Sequence, residues 1–425
     1  MHHEIVIMGG GAGGLELAAR LGRRLGSRYG PEKILLIDRA LTHIWKPTLH
    51  EVAAGTLDAH QEGLSYVILA RRNHFSFSFG DIVDVDANGR SVSLAGIVDD
   101  AGATIVPPRR VSFTCAVLAT GSGSNFFGTP GAAHARVLEK ASDAERFQRE
   151  LLEAFTRSAF STRRQLAIAI VGGGATGVEL AAELLEAHQL MQQALAPAQH
   201  FRLDITVVEA GPRILAGLPE RISARAQAAL EARGVQVRVD SPVSALLADR
   251  LIVGDTEIRA DIMVWAAGIK AADINAGFGL ETNRANQFIV NAQLETSVAN
   301  IFALGDCAAC AWGDRQVPAR AQAAHQQAGY LADLLLARLR GRPFARTFTY
   351  RDFGSLVSLG EKNGLGSLMG VLGGRNFFVE GLLAKGMYMA LHLGHHRAIL
   401  GTANTLVLAL ARLLKRRVSG RLKLH

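Results

Sequence analysis

Short apolar runs, each followed by a glycine-rich turn and a helical pattern, occur twice along the chain. The first copy is EIVIMGGGAGGLELAARL from Glu4, and the second is LAIAIVGGGATGVELAAELL from Leu166. Short continuous apolar runs are typical of strands buried in a parallel sheet, and the segments after the turns carry apolar residues at helical spacing. Each copy therefore predicts a strand, a turn and a helix, followed by a second strand that ends at Asp38 in the first copy and at Glu209 in the second.

Apolar and polar residues alternate in several segments that follow each copy. DIVDVD, RSVSL and RRVSFTCAVLATG predict strands that return the chain to the first unit, and ADIMVWAAGIK predicts the equivalent strand of the second. We therefore expect an α/β fold with two Rossmann-like dinucleotide-binding domains, the second inserted in the first. The predicted boundaries are 1–159 and 286–340 for the first domain, 160–285 for the second and 341–425 for a C-terminal region.

The two glycine-rich turns share the spacing G-x-G-x-x-G. Their glycines are Gly9, Gly11 and Gly14 in the first copy and Gly172, Gly174 and Gly177 in the second. The first glycine permits a tight turn, the second lets the backbone approach a pyrophosphate, and the third lets the helix pack on the strand. The helix N-terminus then faces the phosphates, and the acid that ends the next strand, Asp38 or Glu209, accepts hydrogen bonds from ribose hydroxyls. Two complete copies predict two dinucleotide sites.

The acid of the second copy also discriminates between the two nicotinamide dinucleotides. Glu209 would repel a 2′-phosphate and accept a hydrogen bond from a 2′-hydroxyl. The neighbouring Arg213 is a cation that a 2′-phosphate would attract. The sequence therefore favours NADH without excluding NADPH.

Composition and charge narrow the surroundings in which the chain works. Its 425 residues are 49% hydrophobic and 20% charged, which is typical of a globular protein. Part of the net charge of +8 lies near the end of the chain, in Arg412, Lys415, Arg416, Arg417, Arg421 and Lys423. This clustering favours an anionic membrane surface over nucleic acid as a partner. With three cysteines, no signal-peptide pattern and no long apolar run, we expect a cytoplasmic protein without a spanning helix.

The segment from Ala398 to Leu414 carries its apolar residues at the spacing of one helix face. Together with the basic tail, this pattern predicts a C-terminal membrane-associating helical region whose amphipathic helix lies on the membrane without spanning it. We expect a peripheral protein at the cytoplasmic face of the inner membrane. A core helix would show the same pattern, so that alternative stays open. Whether the protein forms a homodimer also stays open.

Further segments resemble one family of flavoproteins. HIWKPTLHEVAAGTL, ATGSGSNFFGTPG, VWAAGIKA, IFALGDCA and RAQAAHQ are similar to segments of the respiratory type II NADH:quinone oxidoreductases, and the resemblance covers essentially the whole chain. It implies that the first turn holds FAD, that the second holds NADH, and that electrons pass to a quinone without proton pumping. Two alternatives stay open: a flavoenzyme like sulfide:quinone oxidoreductase, and a sensor that binds flavin and NADH without catalysis.

The turns and the resemblance together give the candidate binding residues. For FAD they are Gly9, Gly11, Ala12, Gly13, Gly14, Asp38, Arg39, Lys46, Ala119, Thr120, Gly121, Asp306 and Ala323. For NADH they are Gly172, Gly174, Ala175, Thr176, Gly177, Glu179, Glu209, Ala267 and Gly268. We interpret the C-x-x-C pair, Cys307 and Cys310, as packing beside the flavin rather than as a metal or redox pair. No metal is expected.

The resemblance assigns catalytic roles to four side chains. Glu179 would position the nicotinamide or relay a proton, and Lys46 would stabilise negative charge on the reduced flavin. Gln322 and Gln326, which share one helix face, would present their amides to a quinone carbonyl. Structural alternatives stay open: Glu179 as a carboxylate that suits the first turn of a helix, and the glutamines as ordinary polar residues.

Overall fold

The computed structural model of the chain describes residues 1–360, 364–368 and 377–418. Four sheets of three or more strands organise this part of the chain. In chain order, their strands are β1 (His2–Met8), β2 (Ile34–Asp38), β3 (Ser76–Phe79), β4 (Ile82–Asp86), β5 (Ser91–Leu94), β6 (Arg109–Leu118), β7 (Gln165–Val171), β8 (Arg202–Val208), β9 (Gln236–Arg238), β10 (Val243–Leu246), β11 (Arg250–Val253), β12 (Thr256–Arg259), β13 (Ile262–Trp265), β14 (Ile301–Ala303), β15 (Gly354–Ser358), β16 (Gly364–Leu368) and β17 (Phe377–Glu380).

The α-helices of the described residues are α1 (Ala12–Lys33), α2 (Leu49–Ala53), α3 (Ala59–Glu62), α4 (Tyr66–Asn73), α5 (Ala141–Phe160), α6 (Ala175–Ala194), α7 (Glu220–Glu231), α8 (Ala321–Leu339), α9 (Gly381–Leu400) and α10 (Thr402–Val418). Helices α1 and α6 directly follow the two glycine-rich turns. Each of these helices therefore begins where the motif predicts it.

The first sheet has the strand order β3-β2-β1-β6-β5-β4, with β14 beside β6. Strands β3, β2, β1, β6 and β14 are parallel, whereas β4 and β5 are antiparallel to their neighbours. The chain leaves this sheet after β6 and returns to it at Ile301, after the second glycine-rich unit. This is the insertion that the sequence predicts.

The second sheet has the strand order β9-β8-β7-β13, and all of its strands are parallel. Its central strand β7 is almost completely buried from Ile168 to Val171, which explains why the segment reads as a continuous apolar run. The small antiparallel sheet β10-β11-β12 lies between β9 and β13 in the sequence. The second glycine-rich turn therefore lies at the carboxyl end of a central parallel strand, where such folds bind ligands.

Two large apolar cores lie on these sheets, and they place one helix differently from the sequence prediction. Phe147, Leu151 and Phe155 of α5 are buried in the second core, together with apolar side chains of β7, β8 and α6. The predicted second domain began at residue 160, whereas the packing puts α5 with it from Ala141 onward. An amphipathic pattern predicts the buried face of a helix but not the core into which that face packs.

The C-terminal region contains a sheet as well as helices, since the antiparallel strands β15, β16 and β17 precede α9. The helix predicted from Ala398 to Leu414 is interrupted: α9 ends at Leu400, Gly401 adopts a φ of 78°, and α10 begins at Thr402. A glycine at positive φ is a common helix end. Among the described residues, no helix is both long enough and apolar enough to cross a membrane. Arg421 and Lys423 of the basic tail lie outside the described residues.

Candidate active site

The turn between β1 and α1 is tied to the end of β2. Asp38 Oδ2 accepts a hydrogen bond from the Gly10 N–H at 2.6 Å, and Oδ1 accepts one from the Ala40 N–H at 2.7 Å. Burial raises the pKa of Asp38, and these two N–H groups oppose that rise. Because each carboxylate oxygen has a further lone pair, Asp38 can still accept a hydrogen bond from a ribose hydroxyl.

The second turn repeats this geometry. Glu209 Oε2 accepts a hydrogen bond from the Gly173 N–H at 2.6 Å, and Oε1 accepts one from the Gly211 N–H at 2.8 Å. Gly173 is the middle residue of the three consecutive glycines 172–174, and Gly10 is the middle residue of the three glycines 9–11. Both copies therefore hold a carboxylate against the turn in the position from which it can bind a ribose.

Space around both turns is tight on one side and open on the other. A Cβ added to Gly14 would lie 1.9 Å from the carbonyl oxygen of Gly9, and one added to Gly177 would lie 2.0 Å from the equivalent oxygen of the second turn. A Cβ on Gly11 or on Gly174 would meet nothing within 4 Å. The open side is where the backbone can approach a pyrophosphate, so both turns fit a dinucleotide.

The first residues of the two helices complete each turn. Ala175 and Thr176, which begin α6, are exposed, and Ala12 at the start of α1 is partly exposed. Their positions leave the N-terminal ends of both helices open to an anionic ligand. Gly13 instead faces the protein interior, because a Cβ there would lie 2.4 Å from Leu304 Cδ1.

Arg213, which lies close to Glu209 in the sequence, binds main-chain carbonyl groups. Its guanidinium group donates hydrogen bonds to the carbonyl oxygens of Leu215 at 3.3 Å, Ala216 at 2.8 Å and Leu218 at 2.9 Å. These contacts engage the Arg213 guanidinium group within its own loop, whereas Glu209 directly follows the end of β8. The geometry therefore favours NADH over NADPH.

The neighbouring strand ends link the two sites. The predicted residues in this region are Ala119, Thr120 and Gly121 of the first domain and Ala267 and Gly268 of the second. The Ala119 N–H donates to the carbonyl oxygen of Met8 at 2.8 Å, directly beside the first turn. Just beyond, Gly123–Ser124 pairs antiparallel with Ile269–Lys270. Main-chain hydrogen bonds therefore connect the segments that border the two turns.

Two of the predicted FAD residues, Lys46 and Asp306, form a hydrogen-bonded group with Ser122. Ser122 Oγ donates to Asp306 Oδ2 at 2.7 Å, and Lys46 Nζ donates to the Ser122 carbonyl oxygen at 2.8 Å. Of the other predicted FAD residues, Arg39 is exposed next to Asp38, and Ala323 is buried in α8. The structure thus brings Lys46 and Asp306 together through Ser122, which the sequence did not single out.

Glu179 is buried near the start of α6, with 6% of its surface exposed. Its Oε1 accepts a hydrogen bond from the Ser358 N–H at 3.0 Å. Burial raises the pKa of Glu179 to about 8, with further contributions from the carboxylates of Glu51 and Glu183. His50 Nδ1 lies 3.6 Å from Glu179 Oε2, and burial lowers the pKa of His50 to about 4. At neutral pH the carboxyl group of Glu179 therefore carries a proton that it can donate.

Both candidate glutamines lie on one face of α8 and bind the main chain at the start of β15. Gln322 Nε2 donates to the Gly354 carbonyl oxygen at 2.9 Å, and its Oε1 accepts from the Phe353 N–H at 3.2 Å. Gln326 Nε2 donates to the Arg351 carbonyl oxygen at 2.8 Å, and its Oε1 accepts from the Arg351 N–H at 3.0 Å. The amides are therefore already paired, and their contact with a quinone stays a prediction.

The cysteines offer no reactive pair. Cys115, Cys307 and Cys310 are buried free thiols. Burial raises the pKa of Cys115 to about 12 and that of Cys310 to about 11, and it also raises the pKa of Cys307. Because the thiolate is the reactive form, this arrangement does not favour the sulfide-oxidising alternative. In residues 1–360, 364–368 and 377–418, no group of three His, Cys, Asp or Glu is arranged to hold a metal ion.

Several residues that bind the first turn or the Gly305 segment were missed in the sequence. The Tyr66 hydroxyl and His43 Nδ1 both bind the Gly10 carbonyl oxygen, at 2.6 and 3.0 Å. Gln327 Oε1 accepts a hydrogen bond from the Gly305 N–H at 2.7 Å. Gln327 follows the RAQAAHQ motif directly, so its position on α8 was a usable signal. Tyr66 lies in an ordinary apolar segment that gives none.

Comparison with known proteins agrees with this geometry. The family model described as pyridine nucleotide-disulphide oxidoreductase matches residues 3–328. The chain is 40% identical to the type II NADH:quinone oxidoreductase of Haemophilus influenzae, over 99% of this chain and 100% of that protein. It is 28% identical to the type II NADH:quinone oxidoreductase Ndh of Mycobacterium tuberculosis, over 92% of this chain and 84% of that protein.

Solved structures show the same fold. NDH2 of Plasmodium falciparum in complex with NADH superposes with a TM-score of 0.83 at 16% identity, covering 99% of both chains. The sulfide:quinone oxidoreductase of Aquifex aeolicus superposes with a TM-score of 0.73 at 18% identity, over 94% of this chain and 92% of that one. At these identities the likeness concerns the fold alone. The sequence relationships go further: the chain belongs to the pyridine nucleotide-disulphide oxidoreductases and, within them, to the type II NADH:quinone oxidoreductases.

Proposed function

We propose that this protein oxidises NADH and reduces a quinone by way of bound FAD. The observation that carries the proposal is the pair of equivalent turns, one closed by Asp38 and the other by Glu209, whose bordering segments are joined by main-chain hydrogen bonds. When bound, FAD would supply the redox chemistry that links oxidation of NADH to two-electron reduction of the quinone. The relative from Haemophilus influenzae, matched over its full length, carries this activity in its name.

The first domain holds FAD in this proposal. The open backbone at Gly11 and the N-terminus of α1 bind the pyrophosphate, and Asp38 accepts hydrogen bonds from the ribose. Lys46 and Asp306, joined through Ser122, supply a cation and a carboxylate for the rest of the cofactor. The cation would stabilise negative charge on the reduced flavin.

The second domain holds NADH through the same kind of contacts. The open backbone at Gly174 and the N-terminus of α6 bind the pyrophosphate, and Glu209 accepts hydrogen bonds from the ribose. Because Arg213 is committed to carbonyl oxygens, the cation nearest in sequence does not compete with Glu209 for the ribose. These contacts support a preference for NADH.

Glu179 supplies a proton to the quinone. Reduction of a quinone to a quinol consumes two protons, and a buried carboxyl group with a pKa near 8 is protonated at neutral pH. Gln322 and Gln326 act on the same segment as Glu179, because they bind the main chain that leads to Ser358, the residue that binds Glu179. In this proposal the glutamines hold the segment that borders the quinone site, and their amides are the candidates for contact with a quinone carbonyl.

The C-terminal helices provide the membrane contact. Exposed apolar side chains on α9 and α10 are those of Leu382, Leu383, Leu391, Leu406, Val407, Leu410, Leu413 and Leu414. Such a face enters the interface of a bilayer, and basic residues nearby favour an anionic leaflet at the cytoplasmic face of the inner membrane. Arg412 of this basic segment forms an ion pair with Glu62 of α3. A homodimer stays a prediction.

Steady-state turnover tests the redox proposal. Purified, FAD-loaded protein should oxidise NADH slowly alone and much faster when a short-chain soluble quinone is added. NADPH should be a poorer donor, because Glu209 repels its 2′-phosphate. A protein that binds FAD and NADH but shows no stimulation by quinone would instead be the sensor without catalysis.

Liposome sedimentation tests the membrane contact. The double variant Leu406→Glu with Leu410→Glu should bind vesicles of anionic lipid at least about tenfold more weakly, because two charges replace apolar side chains in the interface. Leu247→Glu is the matched control, since Leu247 is also an exposed leucine but lies in the second domain. If all three proteins sediment equally with the vesicles, α10 is not the membrane contact.

A further inference from the structure

The carbonyl oxygen of Gly10 is the atom through which two side chains hold the first turn in place. The carbonyl group of Gly10 and the N–H of Gly11 belong to one planar peptide unit, so in the trans form they point in opposite directions. Tyr66 and His43 both donate to that oxygen. They thereby fix the orientation of this peptide unit, and because a Cβ on Gly11 would meet nothing within 4 Å, we expect the Gly11 N–H to be accessible to the pyrophosphate.

The hydrogen bond from His43 fixes the direction of a longer chain of hydrogen bonds. A carbonyl oxygen only accepts, so His43 Nδ1 must carry the hydrogen, and in the neutral ring Nε2 then carries none. His43 Nε2 lies 2.9 Å from Nε2 of His395 on α9. His395 must therefore donate to His43, which donates to Gly10. Both rings are buried, with 4% and 8% of their surfaces exposed.

The surroundings keep the rings of His43 and His395 neutral, as this series of hydrogen bonds requires. Burial lowers the pKa of His43 to about 4 and lowers that of His395 as well. The titratable and charged groups around the pair are Tyr66 and Asp38 near the turn, His325 of α8, His392 and His396 of α9, and Arg412 of α10. A proton added to His43 would set two N–H groups against each other and break its bond with His395.

Helix α9 is held in place beyond this single contact. The ring of His392 stacks on Trp45 with a centroid distance of 4.8 Å and an interplanar angle of 9°, and the Tyr388 hydroxyl donates to the Pro47 carbonyl oxygen at 3.2 Å. At the far end, Arg23 of α1 donates to the Ala398 carbonyl oxygen at 2.5 Å. Helix α9 is therefore attached both to α1 and to the segment that carries His43 and Lys46.

We propose that His395 is a positioning residue for FAD, which acts from the C-terminal helix α9 through His43 to hold the Gly10–Gly11 peptide in its phosphate-binding orientation. The proposal rests on the assignment of FAD to the first turn. It connects the C-terminal helices, which carry the membrane contact, to retention of the cofactor. Displacement of α9 would weaken FAD binding without altering the second turn.

The test is the affinity of the FAD-free protein for FAD, measured from the change in flavin fluorescence on binding. His395→Leu removes the donor at nearly constant volume and should weaken FAD binding roughly tenfold, the size of one lost hydrogen bond. His395→Gln places an amide N–H where Nε2 stood, so it should restore binding to within about threefold of the wild type. Binding of NAD+ should be equal in all three proteins, which also confirms that they are folded.

His396→Leu is the matched control, because His396 is a buried histidine of the same helix that donates to the His392 carbonyl oxygen and not to His43. It should retain tighter FAD binding than His395→Leu. Tyr66→Phe, which removes the other donor to Gly10, should weaken FAD binding and so tests the carbonyl if His395→Leu does not fold. Equal FAD affinity of His395→Leu and wild type, or an equal loss in the Leu and Gln variants, would overturn the proposal. Failure of the wild-type protein to bind FAD would instead refute the proposed function.

Discussion

The two strand-turn-helix copies place a buried glutamate at the same position and surround it differently. Glu16 and Glu179 each stand two residues after the last glycine of their turn. One helical turn further on, the first copy has Arg20, which pairs with Glu16 at 2.5 Å, and His325 binds the other oxygen of Glu16 at 2.9 Å. The second copy has Glu183, another buried acid whose pKa is raised by burial. The same motif thus holds an ion pair in one domain and a protonated carboxyl group in the other.

The two turns also differ in what holds their middle carbonyl group. In the second turn the Gly173 carbonyl oxygen accepts a hydrogen bond from the Leu215 N–H at 2.7 Å, within the same domain. In the first turn the Gly10 oxygen depends on two side chains, Tyr66 and His43. A repeated scaffold can therefore bind two similar cofactors and still give each site its own chemistry and its own sensitivity to the rest of the molecule.

The largest expected effect concerns the two glutamates. Glu179→Gln should slow reoxidation of the flavin by quinone about 100-fold, because an amide cannot donate the proton, while reduction by NADH changes little. The wild-type rate should fall as the pH rises past about 8, where Glu179 loses its proton, and the variant should lack that dependence. Rapid-mixing absorbance at the flavin band measures both half-reactions.

Glu16→Gln is the matched control for that comparison. It should lower the free energy of unfolding by about 2 kcal/mol, because it breaks the buried pair with Arg20, and leave the quinone half-reaction unchanged. Urea denaturation gives the first quantity, and the same rapid-mixing experiment gives the second. If Glu16→Gln slows the quinone step as much as Glu179→Gln does, the distinction between the two copies is wrong.

A smaller effect separates the two cofactors. Gly14→Ala and Gly177→Ala each push a Cβ into a carbonyl oxygen of the same turn, a strain of about 2 kcal/mol, or roughly 30-fold in affinity. We expect Gly14→Ala to weaken FAD and Gly177→Ala to weaken NADH, each with little effect on the other dinucleotide. Equilibrium titrations with FAD and with NAD+ measure this, and a loss of both in either variant would show that the sites are not independent.

The smallest expected effect is a loss of FAD affinity at acidic pH, because His43 holds the first turn. A histidine in the unfolded chain takes up a proton near pH 6.5, whereas His43 does so near pH 4. The neutral contact is therefore fully stabilising above pH 6.5, and its contribution falls as the pH drops towards 4. Because half of the His43 rings of the folded protein carry a proton only at about pH 4, FAD affinity should decrease about twofold more than NAD+ affinity between pH 6.5 and 4. Equal decreases for both would argue against the histidine chain.

Local patterns predicted much of this molecule, because the relevant contacts are close in sequence. Glycine spacing located both turns, and the strand-ending acids Asp38 and Glu209 lie against them, as expected. Contacts between distant segments leave no such trace. No pattern indicates that His395 reaches His43, that the glutamines of α8 bind the chain at the start of β15, or that Arg412 pairs with Glu62.

The helix break at Gly401 could not be predicted from the local sequence pattern either. The apolar spacing from Ala398 onward continues through the glycine, so periodicity alone predicts one helix. The structure turns the chain there and docks α9 on α1, an arrangement decided by packing between elements. Burial is equally non-local: Arg20 and Glu183 can be read one helical turn after Glu16 and Glu179, but only the fold reveals that both glutamates are buried and that the carboxylate of Glu51 acts on Glu179.

The most direct test of the central claim is an anaerobic double-mixing experiment on the FAD-loaded protein, with NADH added first and a soluble quinone second. We expect NADH to bleach the flavin absorbance and quinone to restore it, with only the second phase slowed in Glu179→Gln. A flavin that NADH reduces but that quinone fails to reoxidise would contradict it.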